Sequence, residues 1–150
     1  MRVGVVGVLM VGVPFTWLGM VLAISFLETP LKFRAPGITV PLALGIGRLV
    51  FRALAVAELA LATALTATLA LSSGAVPGGA ATWMLTGLLW VVLAVQWGVL
   101  RPRLDRRTHI VLAGGSPPRS RLHLAYVALD VIKVVLLPVL GALLVAGITS

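Results

Sequence analysis

Four side chains that can give or take a proton follow one another near the carboxyl end of the sequence. They are His123, Tyr126, Asp130 and Lys133, and the last three follow the first by three, seven and ten residues. In an α-helix with about 100° per residue, these offsets place all four within roughly 80° of one another. Imidazole, phenol, carboxyl and amine groups are those used in general acid–base catalysis. The spacing therefore predicts one polar helix face with acid–base chemistry.

A second charged group lies earlier in the chain, where Arg48, Arg52 and Glu58 occupy an arc of about 120° on a helix. If the two helices are antiparallel neighbours, matched depths pair Glu58 with Lys133. The same geometry pairs Arg52 with Asp130. A low dielectric disfavours two ionised carboxylates, so one of the two carboxyl groups is expected to hold a proton. The alternative is that these ion pairs only hold the bundle together.

We predict catalytic roles for Asp130, Glu58 and Tyr126, and substrate-binding roles for a wider set of residues. Either carboxyl group would donate or accept the proton, and Tyr126 would orient the acid. Guanidinium groups would bind a phosphate or carboxylate, and tryptophan rings would stack against a planar or cationic intermediate. The predicted substrate-binding residues are Glu28, Arg48, Arg52, Trp90, Trp97, His123 and Lys133. For Trp90, packing inside the bundle is the favoured alternative.

Four long apolar segments must position these residues. Hydrophobic residues make up 60% of the 150 residues, charged residues only 11%, and the mean hydropathy is +1.13. A helix needs about 20 apolar residues to cross a bilayer. The sequence therefore predicts an all-α, polytopic integral membrane four-helix bundle, with residues 1–150 in a single transmembrane domain. The predicted spans are approximately 3–27, 43–71, 80–100 and 123–148. A signal peptide is the competing interpretation of the first segment, whose length exceeds the usual 7–15 apolar residues.

Cationic residues cluster in the connections that follow the first and third spans. Lys and Arg accumulate on the cytoplasmic side of membrane proteins. We therefore predict a multi-pass protein with both termini outside, and the bias towards Arg, Ala, Val, Leu and Gly favours a bacterial cytoplasmic membrane. This topology and attraction to anionic lipid head groups explain the net charge of +8. Membrane lipids are thus the expected partners, and nucleic acid is not expected.

Small residues recur at helical spacing on the first two spans, a pattern that lets helix backbones approach closely. Packing within the bundle is the expected use, and a homo-oligomer interface is the alternative. The two sets are Gly12, Thr16, Gly19 and Ala23 on the first span, and Ala53, Ala57, Ala60, Ala64 and Ala67 on the second.

The sequence predicts no cofactor and no metal site. Cysteine is absent, which excludes thiolate catalysis and Cys-based metal or iron–sulfur sites. His109 and His123 are fourteen residues apart across a basic segment, which is not a metal-binding spacing. Ser25 and Gln96 are expected to be ordinary polar residues of membrane helices.

Three motifs carry a resemblance to known proteins: ETPLKFRAPGIT (28–39), GIGRLVFR (45–52) followed by Glu58, and RPRLDRR (101–107). Together with residues 123–133, they resemble an uncharacterised bacterial family of four-span membrane proteins. Arg52-Ala53 followed by Glu58 is also similar to the second-helix signature of the MAPEG family, four-span trimeric glutathione transferases and related enzymes. The signature here is one residue shorter and has no Asn, which argues against glutathione binding.

Three classes of function follow from these observations. The first is a membrane-embedded enzyme that acts on a lipid-soluble substrate such as an isoprenoid, a quinone or an epoxide. The others are a small oligomeric transporter or channel and a non-catalytic accessory subunit. An apolar cavity that ends at Glu58 and Asp130 would favour the enzyme, whereas a polar path to the outer surface would favour transport. The outward half of the spans has few polar side chains, which places the enzyme first.

Overall fold

The computed structural model describes residues 4–72, 76–116 and 121–149, and this part of the chain is helical without strands. Four helices are each long and apolar enough to cross a membrane, which confirms the predicted all-α membrane bundle. They are α1 (Val5–Lys32), α2 (Val40–Ala70), α3 (Gly79–Leu112) and α4 (Leu122–Thr149). We call the end where α1 and α3 finish the basic end, because the Lys and Arg residues cluster there.

Two helices run further than the predicted spans. α1 continues through Glu28 to Lys32, where a connection was expected, and an ion pair of 3.2 Å between these two side chains supports the last turn. The basic segment after Leu100, which was expected to be a loop, is helical to Leu112. That helix ends just before Gly114, whose φ of 83° suits glycine at a helix terminus. The basic residues therefore stand on a rigid helical extension.

Each of these two helices contains a π-helical stretch close to the basic end. The stretches are Leu22–Glu28 in α1 and Gln96–Leu100 in α3, and Pro30 and Pro102 follow them by two residues. A proline ring clashes with the carbonyl group four residues earlier in an α-helix and donates no hydrogen bond. The wider π-helical turns take up this mismatch, so both helices continue past their prolines.

The four helices form a ring in which α1 packs against α2 and α4, and α3 packs against the same two helices. α2 and α4 therefore face each other across the centre. Because lipid is as apolar as the helix surfaces, van der Waals packing rather than hydrophobic burial holds such a bundle together. The apolar core includes Met10, Val13, Leu65, Leu69, Leu89, Leu93, Leu137, Leu140 and Leu144.

The small-residue faces of α1 and α2 do not pack inside the bundle, so that prediction was wrong. All of these residues are exposed except Ala57, which is half-buried. A side chain added at Gly12 or Gly19 would meet no atom within 4 Å. α1 instead turns its large residues inwards, with Trp17 and Val21 fully buried. Large side chains make more van der Waals contacts than small ones, and this decides which face is buried.

Candidate functional site

Five polar side chains meet at the axis of the bundle, and every helix contributes at least one. α1 supplies Trp17, α2 supplies Glu58, α3 supplies Gln96, and α4 supplies Asp130 and Lys133. None of these residues is more than 1% exposed. Polar groups so deep within a membrane protein are costly unless they bind one another. We call these five residues the central cluster.

Lys133 lies between the two carboxyl groups of the central cluster. Its Nζ donates to Glu58 Oε1 and is 2.8 Å from Asp130 Oδ1. Trp17 Nε1 also donates to Glu58 Oε1, at 3.0 Å, and Gln96 Nε2 donates to Asp130 Oδ1 at 2.8 Å. The predicted pairing of Glu58 with Lys133 is thus confirmed. The expectation of antiparallel neighbours was wrong, because α2 and α4 both begin at the basic end and face each other across the bundle as parallel helices.

The predicted pairing of Arg52 with Asp130 was wrong. Asp130 is bound by Gln96 and Lys133, whereas Arg52 is exposed. Arg52 lies six residues before Glu58 on α2, about 9 Å nearer the basic end, where its guanidinium group stays hydrated. Removal of a cation from water costs several kcal/mol, so the exposed position is favoured over a buried ion pair.

The central cluster holds two carboxyl groups and one amine. With all three ionised it carries a net charge of −1, which is costly in a low dielectric. One bound proton makes it neutral. The arrangement can therefore hold a single proton inside the membrane-spanning part of the bundle, the basic requirement for acid–base chemistry there.

A cavity of about 280 Å³ lies at the basic end, between the central cluster and the surface. Its walls include the rings of Phe33 and Phe51, and Tyr126 lies at its inner side with only 6% exposure. The Phe51 and Tyr126 rings meet edge to face with centroids 5.6 Å apart. Asp130 follows Tyr126 by about one helical turn. The cavity therefore approaches the central cluster, but neither Glu58 nor Asp130 lines it.

A second cavity, of about 470 Å³, shares part of its lining with the first. Arg48, Arg101 and Asp105 line both cavities. Arg48 Nε is 3.3 Å from Asp105 Oδ1, and each of these two side chains is about one third exposed. Arg52 and Trp97 complete the charged and aromatic lining of the larger cavity. The two cavities thus form one basic region.

Lys32 brings a further cation to the smaller cavity, because Gly47 leaves room for it. A side chain at Gly47 would place its Cβ 2.7 Å from Lys32 Nζ. The amine lies 5.5 Å from the centroid of the Phe51 ring and 5.8 Å from that of Phe33, within cation–π range. Lys32 is only 10% exposed, so its charge is directed into the protein.

The other predicted substrate-binding residues are divided between the cavities and the interior. His123 lines the smaller cavity, and Trp97 lines the larger one with Arg101 at 4.8 Å from its ring centroid. Trp90 lines neither; it packs against the apolar core and donates to Thr66 Oγ1 at 3.0 Å. Glu28 pairs with Lys32 and lies outside both linings, and Lys133 is wholly buried in the central cluster.

Trp17 and Gln96 are the two members of the central cluster that the sequence did not reveal. Trp17 lies in the uncharged apolar segment 3–27, and Gln96 was expected to be an ordinary helix residue. A weak signal existed for Gln96, since an amide buried in hydrocarbon needs a polar partner. No comparable signal identifies Trp17.

Comparison with known proteins does not assign the site to a family. No family model, curated protein or solved structure matches the sequence. Within the described ranges, no group of three or more His, Asp and Glu side chains could hold a metal ion. The chemistry of the site therefore rests on its own side chains.

Proposed function

We propose that this membrane protein binds a lipid-soluble molecule with an anionic head group at its basic end. One observation carries the proposal: the cavity of about 280 Å³ combines aromatic walls with the cationic groups of Lys32, Arg48 and Arg101, which outnumber the one carboxylate of its lining, Asp105. Ligand sites are typically lined by apolar and aromatic side chains with a few charged groups that fix orientation. Cationic groups next to aromatic rings suit an amphiphile. Its anionic head group would bind the cationic groups, and its apolar chain would lie along the rings.

The head group we propose is a phosphate or a carboxylate. Guanidinium groups bind such oxyanions through two parallel hydrogen bonds, and Arg48 and Arg101 line both cavities. A cavity of about 280 Å³ lies just below the usual range of roughly 300–1,000 Å³ for ligand sites. It has room for a head group and the first part of a chain, and we place the rest of the chain in the lipid.

The charge distribution supports a cytosolic location for the basic end. The site would then receive its ligand from the inner leaflet or the cytosol.

Acid–base catalysis on that ligand stays a prediction from the sequence. Tyr126 is the one predicted catalytic residue that lines the cavity, and Asp130 stands about one turn behind it. Because neither carboxyl group lines the cavity, a proton would have to pass between the carboxyl groups and the ligand through Tyr126, or the cavity would have to extend to them.

A binding measurement tests the proposal with purified protein in a neutral detergent. We expect a long-chain alkyl phosphate to bind at least tenfold more tightly than an alkyl maltoside of the same chain length. Inorganic phosphate should also bind at least tenfold more weakly, since it lacks the chain. Equal binding of the maltoside would show that the cations do not select the ligand, and equal binding of inorganic phosphate would contradict an amphiphile site.

Two variants test whether the ligand binds in the cavity at the basic end. Replacement of Arg101 by Gln should weaken binding of the alkyl phosphate by about tenfold or more, since a charge-assisted hydrogen bond contributes about 1.5–3 kcal/mol. Arg103→Gln is the matched control: Arg103 is exposed on the same helix and lines neither cavity. Equal losses in both variants would indicate general attraction to the basic end, and the proposed site would be refuted.

A further inference from the structure

Two buried oxygen atoms in the central cluster have no hydrogen-bond partner in the part of the chain that the structure describes. They are Asp130 Oδ2 and Gln96 Oε1, and both residues are 1% exposed. Buried polar atoms in proteins nearly always have a partner, and each exception needs an explanation. Two acceptors cannot bind each other, because neither supplies a hydrogen.

The two unpaired oxygens belong to side chains that already share a hydrogen bond. Gln96 Nε2 donates to Asp130 Oδ1 at 2.8 Å. A carboxylic acid and a primary amide can form two complementary bonds, in which the amide N–H donates to one acid oxygen and the acid O–H donates to the amide oxygen. A hydrogen on Asp130 Oδ2, directed at Gln96 Oε1, would complete this pair of bonds and give both unpaired oxygens a partner.

We propose that Asp130 and Gln96 form a proton-binding acid–amide pair inside the membrane-spanning bundle, with the proton on Asp130 Oδ2. The contacts of the carboxyl group are asymmetric in the way that this state requires. Both donors, Gln96 Nε2 and Lys133 Nζ, approach Oδ1 at 2.8 Å, which is then the carbonyl oxygen of the acid. Gln96 acts as a positioning residue that holds the acid in this orientation.

Glu58 is the competing position for the proton. A proton on Glu58 would leave Asp130 Oδ2 and Gln96 Oε1 without a partner, whereas ionised Glu58 keeps two donors, Trp17 Nε1 and Lys133 Nζ. With the proton on Asp130, the charges of Glu58 and Lys133 cancel. The described groups around the acid are these two charges from α2 and α4, Tyr126 one turn away, the neutral amide of α3 and the neutral indole of α1.

Infrared spectroscopy of the intact, purified protein tests the assignment. A protonated carboxyl group gives a C=O stretching band that an ionised one lacks. At neutral pH we expect one such band, which moves to lower frequency when aspartate is labelled with ¹³C at its side-chain carboxyl carbon and stays in place when glutamate is labelled. The chain contains only two aspartates, and the other, Asp105, is paired with Arg48 near the surface. Absence of the band, or a band that moves with the glutamate label, overturns the proposal.

Two variants then test separately whether Asp130 holds the proton and whether Gln96 positions the acid. Asp130→Asn should abolish the band and still fold, because Asn Nδ2 can donate to Gln96 Oε1 while its Oδ1 keeps the bond from Gln96 Nε2. Gln96→Leu keeps the acid but removes the oxygen that accepts its hydrogen bond. We expect the band to move to higher frequency in this variant or to disappear because the proton is lost. An unchanged band would show that Gln96 does not hold the acid.

Discussion

Glu58→Gln tests whether Glu58 and Lys133, the ion pair across the bundle, are coupled in their contribution to stability. The substitution preserves the shape of the side chain and an oxygen that can accept from Trp17 Nε1, but it removes the negative charge. Lys133, at 0% exposure, cannot move its ammonium group into water. Loss of one partner of a buried ion pair typically costs about 3–5 kcal/mol. Asp130, 2.8 Å away, can still accept a hydrogen bond from Lys133, so we expect a loss near about 3 kcal/mol.

A double-mutant cycle separates coupling from general damage. Lys133→Met keeps most of the apolar stem of the side chain but leaves the charge of Glu58 without its partner. It should therefore lower the free energy of unfolding by a similar amount. The double variant leaves neither charge without its partner. We expect its loss of unfolding free energy to be smaller than the sum of the two single losses by at least about 2 kcal/mol. The free energy of unfolding is measured in mixed micelles by titration with a denaturing detergent.

The surface ion pair provides the control for this cycle. Arg48 and Asp105 are about one third exposed, and pairs of this kind contribute about 0.2–1 kcal/mol. Arg48→Gln and Asp105→Asn should therefore change stability little, alone or together. If the losses in the Glu58 and Lys133 variants add to within about 0.5 kcal/mol, the two residues are not coupled and the reasoning fails.

Two further predictions concern the first helix and the orientation. Trp17→Phe removes the N–H that binds Glu58 and should lower the unfolding free energy by about 1.5–3 kcal/mol, whereas Trp83→Phe, at 42% exposure, should change it by less than about 0.5 kcal/mol. Equal losses in the same unfolding titration would contradict a role for this hydrogen bond. Single cysteines at Ser73, outside the described residues, and at Ser116 test the cytosolic basic end in intact cells. A membrane-impermeant thiol reagent should label the first and spare the second, and the reverse pattern would invert the topology.

The amino-acid sequence by itself determined the helical membrane architecture. The bilayer requires about 20 apolar residues per span and leaves no backbone polar group unsatisfied, so long uncharged segments allow few other structures. Depth is also readable along a helix at about 1.5 Å per residue. For this reason the match of Glu58 with Lys133 was predicted correctly. The extension of α3 through its basic segment was missed, because the charges there resembled those of a loop.

Only the tertiary structure decided how each helix is rotated about its axis. In water an apolar stripe marks the buried face, but a helix that is apolar on all sides carries no such mark, and lipid covers either face equally well. The rotation therefore depends on how side chains fit against neighbouring helices. That fit turned Trp17 and Gln96 towards the axis and placed Gly12 on the outside. It also gave Asp130 the amide of Gln96 as a partner.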